Sequence, residues 1–188
     1  MDQAFWQQRY DENTTGWDIG SVSEPLKAYI DQLTDKDLRI LIPGCGYGHE
    51  ARYLAEQGFT QVTVIDLVDD AISRLREEVA AVRCITGDFF ELDEAGTYDL
   101  ILEQTLFCAI NPAMRDQYIR KGAELLVTGG KYVGVLFNRE FEGGPPFGGD
   151  IEEYTNYMDH RFTRYQITAC YNSIPQRTGT EVFVKAEK

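Results

Sequence analysis

A glycine-rich turn is the first stretch of this sequence whose residue types and spacing could do chemistry. Residues 43–48 read PGCGYG and follow the apolar residues 40–42, which suit a strand buried on both faces. A helical pattern of Ala51, Leu54 and Ala55 comes next. Such a turn lets a ligand approach bare backbone, and the N-terminus of the helix adds unpaired N–H groups that favour polar or negative atoms. The alternative is a packing role alone, because the spacing is G-x-G-x-G and not the G-x-G-x-x-G of dinucleotide-binding proteins.

Polar side chains end three further predicted strands. Asp66 lies about 20 residues after the glycine turn, where an acid can accept hydrogen bonds from both ribose hydroxyls; its alternative role is to cap a helix. Asp88 and Phe89 would supply an acceptor for an adenine amino group and an apolar face beside the ring, and Glu103 and Gln104 end the next strand. These residues describe a site for an adenosyl ligand. Without a third glycine at dinucleotide spacing or a Walker lysine, the sequence favours S-adenosylmethionine over NAD or ATP.

The N-terminal segment, residues 1–22, concentrates aromatic side chains in a polar stretch. Phe5, Trp6, Arg9 and Tyr10 share a helical spacing, and Trp17 follows in a predicted loop. One interpretation is an aromatic lid over a ligand, including a cationic one. The other is an arm that packs on the core, and the segment by itself favours this second interpretation.

The elements that must position these residues alternate between strands and helices. Apolar runs predict seven strands, at residues 38–42, 61–66, 82–86, 98–103, 131–137, 162–171 and 180–186. The longest predicted helix starts at Asn111 and Pro112 and runs to about residue 127, where Gly129 and Gly130 end it. Asp150, with Glu153 three residues later, predicts a short capped helix.

This alternation predicts a single α/β domain over residues 1–188. We expect a Rossmann-like, doubly wound sheet of seven strands, mostly parallel with an antiparallel last strand, and a hairpin-like pair at the end of the chain. Ligands bind such sheets outside the carboxyl ends of the strands. The glycine turn, Asp66, Asp88 and Gln104 should therefore meet along one edge, although they are far apart in sequence.

The composition of the chain limits the classes of protein to which it can belong. The chain has 188 residues, of which 43% are hydrophobic, and its net charge of −13 argues against a nucleic-acid or anionic-membrane partner. The four cysteines form no C-x-x-C pair, which disfavours a zinc site and favours reduced, buried thiols. The N-terminus has no secretory pattern, and no apolar run approaches the ~20 residues of a membrane helix. We expect a cytoplasmic monomer with a small-molecule partner and no bound metal.

The sequence resembles the class I methyltransferases and, more narrowly, the thiopurine S-methyltransferase family with its halide and thiol methyltransferase branch. The motifs run in the family's order over nearly the whole chain: FWQQRY, TGWDIG, IPGCGYGHE, VIDL, GDFF, LFCAINPAMRDQY, LLVTGG, GGPPF and IPQRTGTE. PGCG and FCAINP-x-x-R are the more specific of them. The resemblance implies S-adenosylmethionine as cofactor and methyl transfer to a small soft nucleophile: a thiol, a thiopurine, a halide or a chalcogen anion.

The resemblance also implies roles for individual residues. The cofactor contacts, first the aromatic lid and then the sheet edge, fall on Trp6, Tyr10, Trp17, Gly44, Gly46, Asp66, Asp88, Phe89 and Gln104. Arg115 matches the arginine that faces the acceptor, with a surface helix arginine as the alternative, and Phe107 and Phe147 fall in the acceptor pocket. Tyr10 stands where some members have tryptophan, and both Gln104 and Phe147 stand where members have tyrosine. The last two changes leave the acceptor undetermined.

The implied reaction needs no strong general base, because a thiolate or halide arrives as an anion. This agrees with the presence of only two histidines in the chain. Two alternatives stay open. A small-molecule O- or N-methyltransferase would need a base, for which Asp18, Glu103 and His49 are the evident residues. A non-catalytic accessory protein would bind S-adenosylmethionine without turning it over.

Overall fold

The computed structural model describes residues 1–188, and its centre is one sheet of seven strands. The strands are β1 Ile40–Pro43, β2 Val62–Asp66, β3 Val82–Thr86, β4 Tyr98–Gln104, β5 Leu126–Phe137, β6 Arg164–Ala169 and β7 Glu181–Glu187. Their order is β3-β2-β1-β4-β5-β7-β6. Strands β1 to β5 pair in parallel, whereas β7 is antiparallel to both β5 and β6. The predicted fold class is confirmed, including the antiparallel last strand.

Helices cover both faces of the sheet. They are α1 Gln3–Asp11, α2 Glu24–Ile30, α3 His49–Glu56, α4 Asp69–Glu78, α5 Leu106–Ala109, α6 Arg115–Leu125 and α7 Ile151–Asp159. Side chains alternate along the strands, so Ile40 and Ile42 join a core cluster with α2, α3 and α4, and Leu41 joins a second cluster with α5, α6 and α7. Each cluster contains 19 buried residues. The strands are therefore apolar on both faces, as their continuous hydrophobic runs predict.

The end of α6 differs from the prediction. The helix stops at Leu125, and β5 begins at Leu126 and includes Gly129 and Gly130, the glycines that the sequence pattern places at the end of the helix. Tyr98 pairs with Leu126, but the register then shifts before pairing resumes beyond the glycines. Gly129 has a φ of +78°, a conformation that glycine adopts without steric cost. The glycines allow the irregular pairing within β5. The helix ends before it reaches them because Leu125 and Leu126 are buried in the core.

The connections that follow the strands position the site. α7 starts as predicted, since Asp150 Oδ1 accepts a hydrogen bond from the Glu153 N–H at 2.8 Å. The single-turn helix α5, directly after β4, has no clear signal in the sequence. α1 contains no buried residue, so it lies on the surface of the molecule. None of the helices combines the length and the apolar character that crossing a membrane requires.

Candidate active site

A cavity of about 640 Å³ lies along the carboxyl ends of the parallel strands. Its lining includes every residue that the sequence assigns to the cofactor: Trp6, Tyr10, Trp17, Gly44, Gly46, Asp66, Asp88, Phe89 and Gln104. The strand order explains this convergence, because β3, β2, β1 and β4 are consecutive neighbours and their ends share one edge.

The glycine turn between β1 and α3 has two roles. Gly44, Gly46 and Gly48 have φ values of +58°, +52° and +74°, which favour glycine at each position. A Cβ at Gly44 would lie 2.8 Å from the Leu106 Cβ, and one at Gly48 would lie 2.5 Å from a methyl of Leu75. Two of the glycines are thus required by packing, whereas Gly46 is confined only by the Tyr10 hydroxyl, 3.4 Å from the position of its Cβ. Packing and ligand approach both account for this turn.

Asp66 ends β2 and holds the turn in place. Its Oδ2 accepts a hydrogen bond from the Gly46 N–H at 2.9 Å, and its Oδ1 accepts one from the Val68 N–H at 3.0 Å. Burial raises the pKa of this carboxyl, although the backbone hydrogen bonds oppose the shift. Each carboxylate oxygen can accept a second hydrogen bond, so Asp66 retains capacity for the two hydroxyls of a ribose.

The ends of β3 and β4 complete the sheet edge. Asp88 Oδ1 accepts from the Phe90 N–H at 2.9 Å and caps the 3₁₀ turn Phe89–Glu91, and Phe89 is anchored by the ring of Tyr118, 5.0 Å away between centroids. Gln104 Oε1 is buried and has no hydrogen-bond partner. A buried acceptor without a donor is costly, and a donor group of a bound ligand would satisfy it. These donor and acceptor groups fit the adenosyl and amino-acid parts of S-adenosylmethionine.

Thr105 marks strain beside this acceptor. Its φ is +68°, which is unfavourable for a β-branched residue. Backbone strain of this kind persists only where the surrounding structure imposes it, and it is frequent at active sites. The strained turn starts α5, whose residues Leu106, Cys108 and Ala109 line the cavity next to Gln104.

The N-terminal arm brings its aromatic rings together at the cavity. Trp17 contacts Trp6 and Tyr10 edge to face, with centroids 5.5 and 5.7 Å apart, and Tyr10 contacts Tyr47 of the glycine turn at 5.4 Å. Three polar contacts tie the arm to the rest of the molecule: Gln7 donates to Asp70 Oδ2 at 2.7 Å, Arg177 donates to the Trp17 carbonyl at 3.0 Å, and Asp18 Oδ1 lies 2.8 Å from His49 Nε2. The rings form a cavity wall that belongs to a lightly anchored segment.

Arg115 is the residue to which the resemblance assigns orientation of the acceptor. Its side chain is only 2% exposed and does not line the cavity. One terminal nitrogen donates to both carboxylate oxygens of Glu153, at 2.9 and 3.0 Å, and the other donates to the carbonyls of Phe147 and Gly148, at 3.2 and 2.8 Å. The guanidinium also stacks over the ring of Phe107, 4.6 Å from its centroid. Arg115 therefore ties α6 to α7 and to the loop at residues 143–149, and an acceptor could not reach it without moving these partners.

The two phenylalanines assigned to the acceptor pocket also lie outside the cavity lining. Phe107 is 1% exposed and packs in the second core cluster, and the Phe147 N–H donates to the Cys108 carbonyl at 2.7 Å. In the loop at residues 143–149, Pro145 and Pro146 line the cavity instead. The loop forms part of the wall with its prolines and not with the ring of Phe147.

The three residues that could act as a base are in different environments. Asp18 and His49 both line the cavity, and Asp18 Oδ1 lies 2.8 Å from His49 Nε2. Glu103 is fully buried behind the lining, where it accepts hydrogen bonds from the Phe107 N–H at 2.8 Å and from the Tyr118 hydroxyl. Burial raises the pKa of Glu103 to about 7. The geometry brings Asp18 and His49 together as a pair and excludes Glu103 from contact with a ligand.

Sequence reasoning missed much of the wall beyond Gln104. The additional lining residues of this region are Ile110, Phe137, Arg139, Phe141, Gln176, Arg177 and Thr180. Three of them belong to the motif IPQRTGTE, which contributes to the resemblance without a role for any residue. Ile110 lies in the motif LFCAINPAMRDQY, again without a role of its own, and the others lie at or after the end of β5, where the composition carries no signal. Cys108 also lines the cavity, but burial raises the pKa of its thiol to about 12, so it is not a nucleophile at neutral pH.

The sheet order and the adenosyl-type site at the ends of β1 to β4 define a class I methyltransferase with a Rossmann-like fold. Comparisons with known proteins give the family. The family model for thiopurine S-methyltransferase matches residues 1–185. The chain therefore belongs to the thiopurine S-methyltransferase family, and it is an S-adenosylmethionine-dependent methyltransferase.

Individual relatives agree with this assignment. Thiocyanate methyltransferase 1 of Arabidopsis thaliana is 25% identical over 190 residues, which cover 96% of this chain and 83% of the relative. Thiopurine S-methyltransferase of Vibrio parahaemolyticus is 26% identical over 191 residues, covering 91% of this chain and 86% of the relative. Among solved structures, the 1,6-didemethyltoxoflavin-N1-methyltransferase of Burkholderia thailandensis, with bound S-adenosylhomocysteine, has a TM-score of 0.78 at 19% identity and covers 99% of this chain and 86% of its own. This last likeness concerns the fold.

Proposed function

We propose that this enzyme methylates a small soft nucleophile, namely a thiol, a thiopurine, a halide or a chalcogen anion. The observation that carries the proposal is the wall of the cavity beyond Gln104. The lining residues of α5, of the end of β5 and of the loop at residues 143–149 are mainly apolar or aromatic, and none is a histidine or a carboxylate. A nucleophile that still carried its proton would find no base in this part of the site.

The residues of the chain would divide the work as follows. Asp66, Asp88 and Gln104 hold the cofactor, which supplies a methyl group on a sulfonium cation. The rings of Trp6, Tyr10 and Trp17 cover it and keep water out, and aromatic faces are attractive to a cation. Phe137 and Pro145 with their neighbours strip water from the incoming anion and so make it more reactive. Most of the rate enhancement would then come from proximity and alignment.

We also infer that the chain is a single methyltransferase domain on which residues 1–22 act as a lid. We infer further that the enzyme works as a monomer in the cytoplasm. The absence of buried residues in α1 and its few polar anchors support a lid that opens for exchange of cofactor and product. The net charge of −13 supports a small-molecule acceptor and not a nucleic acid. The four unpaired cysteines are compatible with a reducing compartment.

The pH dependence of kcat/KM with a series of thiols tests the proposal. We expect the lower limb of each profile to follow the pKa of the thiol used, because the thiolate is the reacting form. If the midpoint of this limb lies at the same pH for every thiol, the titrating group belongs to the enzyme. That result would contradict a mechanism without a general base.

A second candidate function rests on the contact between His49 and Asp18. A carboxylate 2.8 Å from an imidazole that lines the cavity is the arrangement of an oriented general base, which an O- or N-methyltransferase needs. His49→Gln and Asp18→Asn separate the candidates. If either variant abolishes turnover of a neutral alcohol or amine while thiol turnover stays within a few-fold, the pair is a base. If both variants merely weaken cofactor binding, the pair anchors the arm to α3.

A further inference from the structure

A ladder of aromatic and cationic side chains forms the cavity wall at the end of β5. The rings of Phe137 and Phe141 meet edge to face with centroids 5.0 Å apart, and the guanidinium of Arg139 stacks over Phe141 at 4.6 Å. All three residues line the cavity. Stacking restricts the orientation of the guanidinium and leaves its N–H edge free to bind a planar anion.

Arg139 has no acidic partner. Its side chain donates one long hydrogen bond, 3.4 Å to the Glu140 carbonyl, and forms no ion pair. By contrast Arg177, on the same side of the cavity, pairs with Glu181 at 3.5 Å and donates to the Trp17 carbonyl. Nine of the twelve arginines form an ion pair with a carboxylate, and Arg139 is one of the three that do not. Its free charge points to an anion supplied from outside.

The position of Arg139 separates it from the cofactor residues. Those residues follow β1 to β4 or belong to the arm, whereas Arg139 follows β5, on the far side of β4. Arg9 is the other lining arginine without an acid, but it belongs to α1 and stacks on Phe5 at 3.6 Å. The acids of the cavity, Asp18, Asp66 and Asp88 among them, give the cofactor side a negative character. Arg139 is therefore the cation available to the acceptor.

We propose that Arg139 is a specificity-determining residue that binds a carboxylate on the acceptor, several bonds away from the sulfur that is methylated. The inference rests on the proposed function and names the acceptor class as thiol acids. A guanidinium matches a carboxylate with two parallel hydrogen bonds. Phe137 and Phe141 contact the carbon skeleton between the two ends of the acceptor.

Mercaptocarboxylates and their methyl esters provide the test, because each pair differs in the negative charge and little else in shape. We would measure kcat/KM for thioglycolate, 3-mercaptopropionate and 4-mercaptobutyrate, and for the three esters. The enzymes are wild type, Arg139→Gln, Arg139→Lys and, as a control with the same change in net charge, Arg74→Gln. The side chain of Arg74 is 79% exposed and lies outside the cavity lining.

The ratio of kcat/KM for the acid to kcat/KM for the ester is compared between enzymes, since the difference in acidity between the two thiols is the same for every enzyme and cancels in that comparison. We expect Arg139→Gln to lower this ratio about tenfold for at least one chain length, the size of one charge-assisted hydrogen bond. Arg139→Lys should give a ratio between those of wild type and Arg139→Gln, because an ammonium keeps the positive charge but cannot form the two parallel hydrogen bonds of a guanidinium. Arg74→Gln should leave the ratio at the wild-type value. The variants should fold, because Arg139 bridges to Gly149 through its backbone.

An unchanged ratio in Arg139→Gln would overturn the proposal, and so would an equal loss for acids and esters, which would assign Arg139 to the shape of the loop. Turnover of the esters in wild type reports on the proposed function independently of the ratio. If no thiol is turned over, calorimetric binding of 3-mercaptopropionate to the protein saturated with S-adenosylhomocysteine makes the same comparison. Binding that does not depend on Arg139, or an absence of binding, would then refute the inference.

Discussion

Replacing Arg115 or Glu153 should damage acceptor use and leave cofactor binding intact. Arg115 connects the first turn of α6 to Glu153 at the start of α7 and to the carbonyls of Phe147 and Gly148. The prolines of that loop line the cavity beyond Gln104, away from Asp66 and Asp88. Loss of the clamp should therefore release the acceptor wall. We expect Arg115→Lys and Glu153→Gln to lower kcat/KM for a thiol similarly, while the Kd of S-adenosylhomocysteine changes less than about twofold.

The stability cost can be derived from the burial of the pair. Removing one partner of a buried ion pair costs about 3–5 kcal/mol. Arg115 is 2% exposed but Glu153 is 29% exposed, so water can solvate the carboxylate in part, and we expect about 2–3 kcal/mol for Arg115→Ala. Urea unfolding of Arg115→Ala, Glu153→Ala and the double variant should show strong coupling, with the double variant little worse than the worse single one.

The matched control is the pair of Arg161 and Asp116, which lie 3.2 Å apart near the ends of the same two helices and are 27% and 60% exposed. Arg161→Ala should cost less than about 1 kcal/mol, because solvent screens this pair. The reasoning about Arg115 would be refuted if its variants lost only anionic acceptors while Glu153→Gln behaved as wild type. That pattern of results would indicate that Arg115 contacts the acceptor directly.

Three further predictions concern the cofactor side and the core. Asp66→Ala should weaken S-adenosylhomocysteine binding about tenfold or more, from loss of charged hydrogen bonds; calorimetry with unchanged affinity in a folded variant would contradict its role. Amides of residues 1–22 should exchange with deuterium more slowly when S-adenosylhomocysteine is bound, and equal exchange would favour a packing arm. Burial raises the pKa of Glu103 from 4.5 to about 7, so the folded protein retains a proton that the unfolded chain releases. The contribution of Glu103 to the free energy of unfolding is fully present below about pH 4.5 and is lost as the pH rises to about 7. Glu103→Gln should therefore remove on the order of 3 kcal/mol of the pH dependence of this free energy, measured by urea unfolding between about pH 5 and pH 8. Equal pH dependence in both proteins would show that Glu103 is ionised in the fold.

The cofactor side of the site was predictable because local patterns and topology determine it. Buried strands, the glycine turn and the polar residues at strand ends are each visible within a few residues, and the parallel sheet brings the ends together. The end of α6 was not predictable in the same way. Gly129 and Gly130 resemble a helix stop locally, but the pairing of Tyr98 with Leu126 draws the chain into the sheet before it reaches them.

The acceptor side depends on contacts between distant segments. Arg115 is indistinguishable in the sequence from a solvent-exposed helix arginine, since its partners Glu153 and Gly148 come more than thirty residues later. The contact of Asp18 with His49 likewise joins the arm to α3. Burial and pairing of such residues are tertiary properties, so sequence patterns could name the chemistry of the wall but not the residues that form it.

The most direct test of the account is steady-state release of S-adenosylhomocysteine across one panel of acceptors. The panel contains thiols, a thiopurine, thiocyanate, halides, and matched alcohols and amines. We expect turnover with sulfur acceptors or soft anions, and little with the alcohols and amines. Turnover confined to alcohols or amines would contradict the account, as would tight binding of S-adenosylmethionine with no turnover of any acceptor.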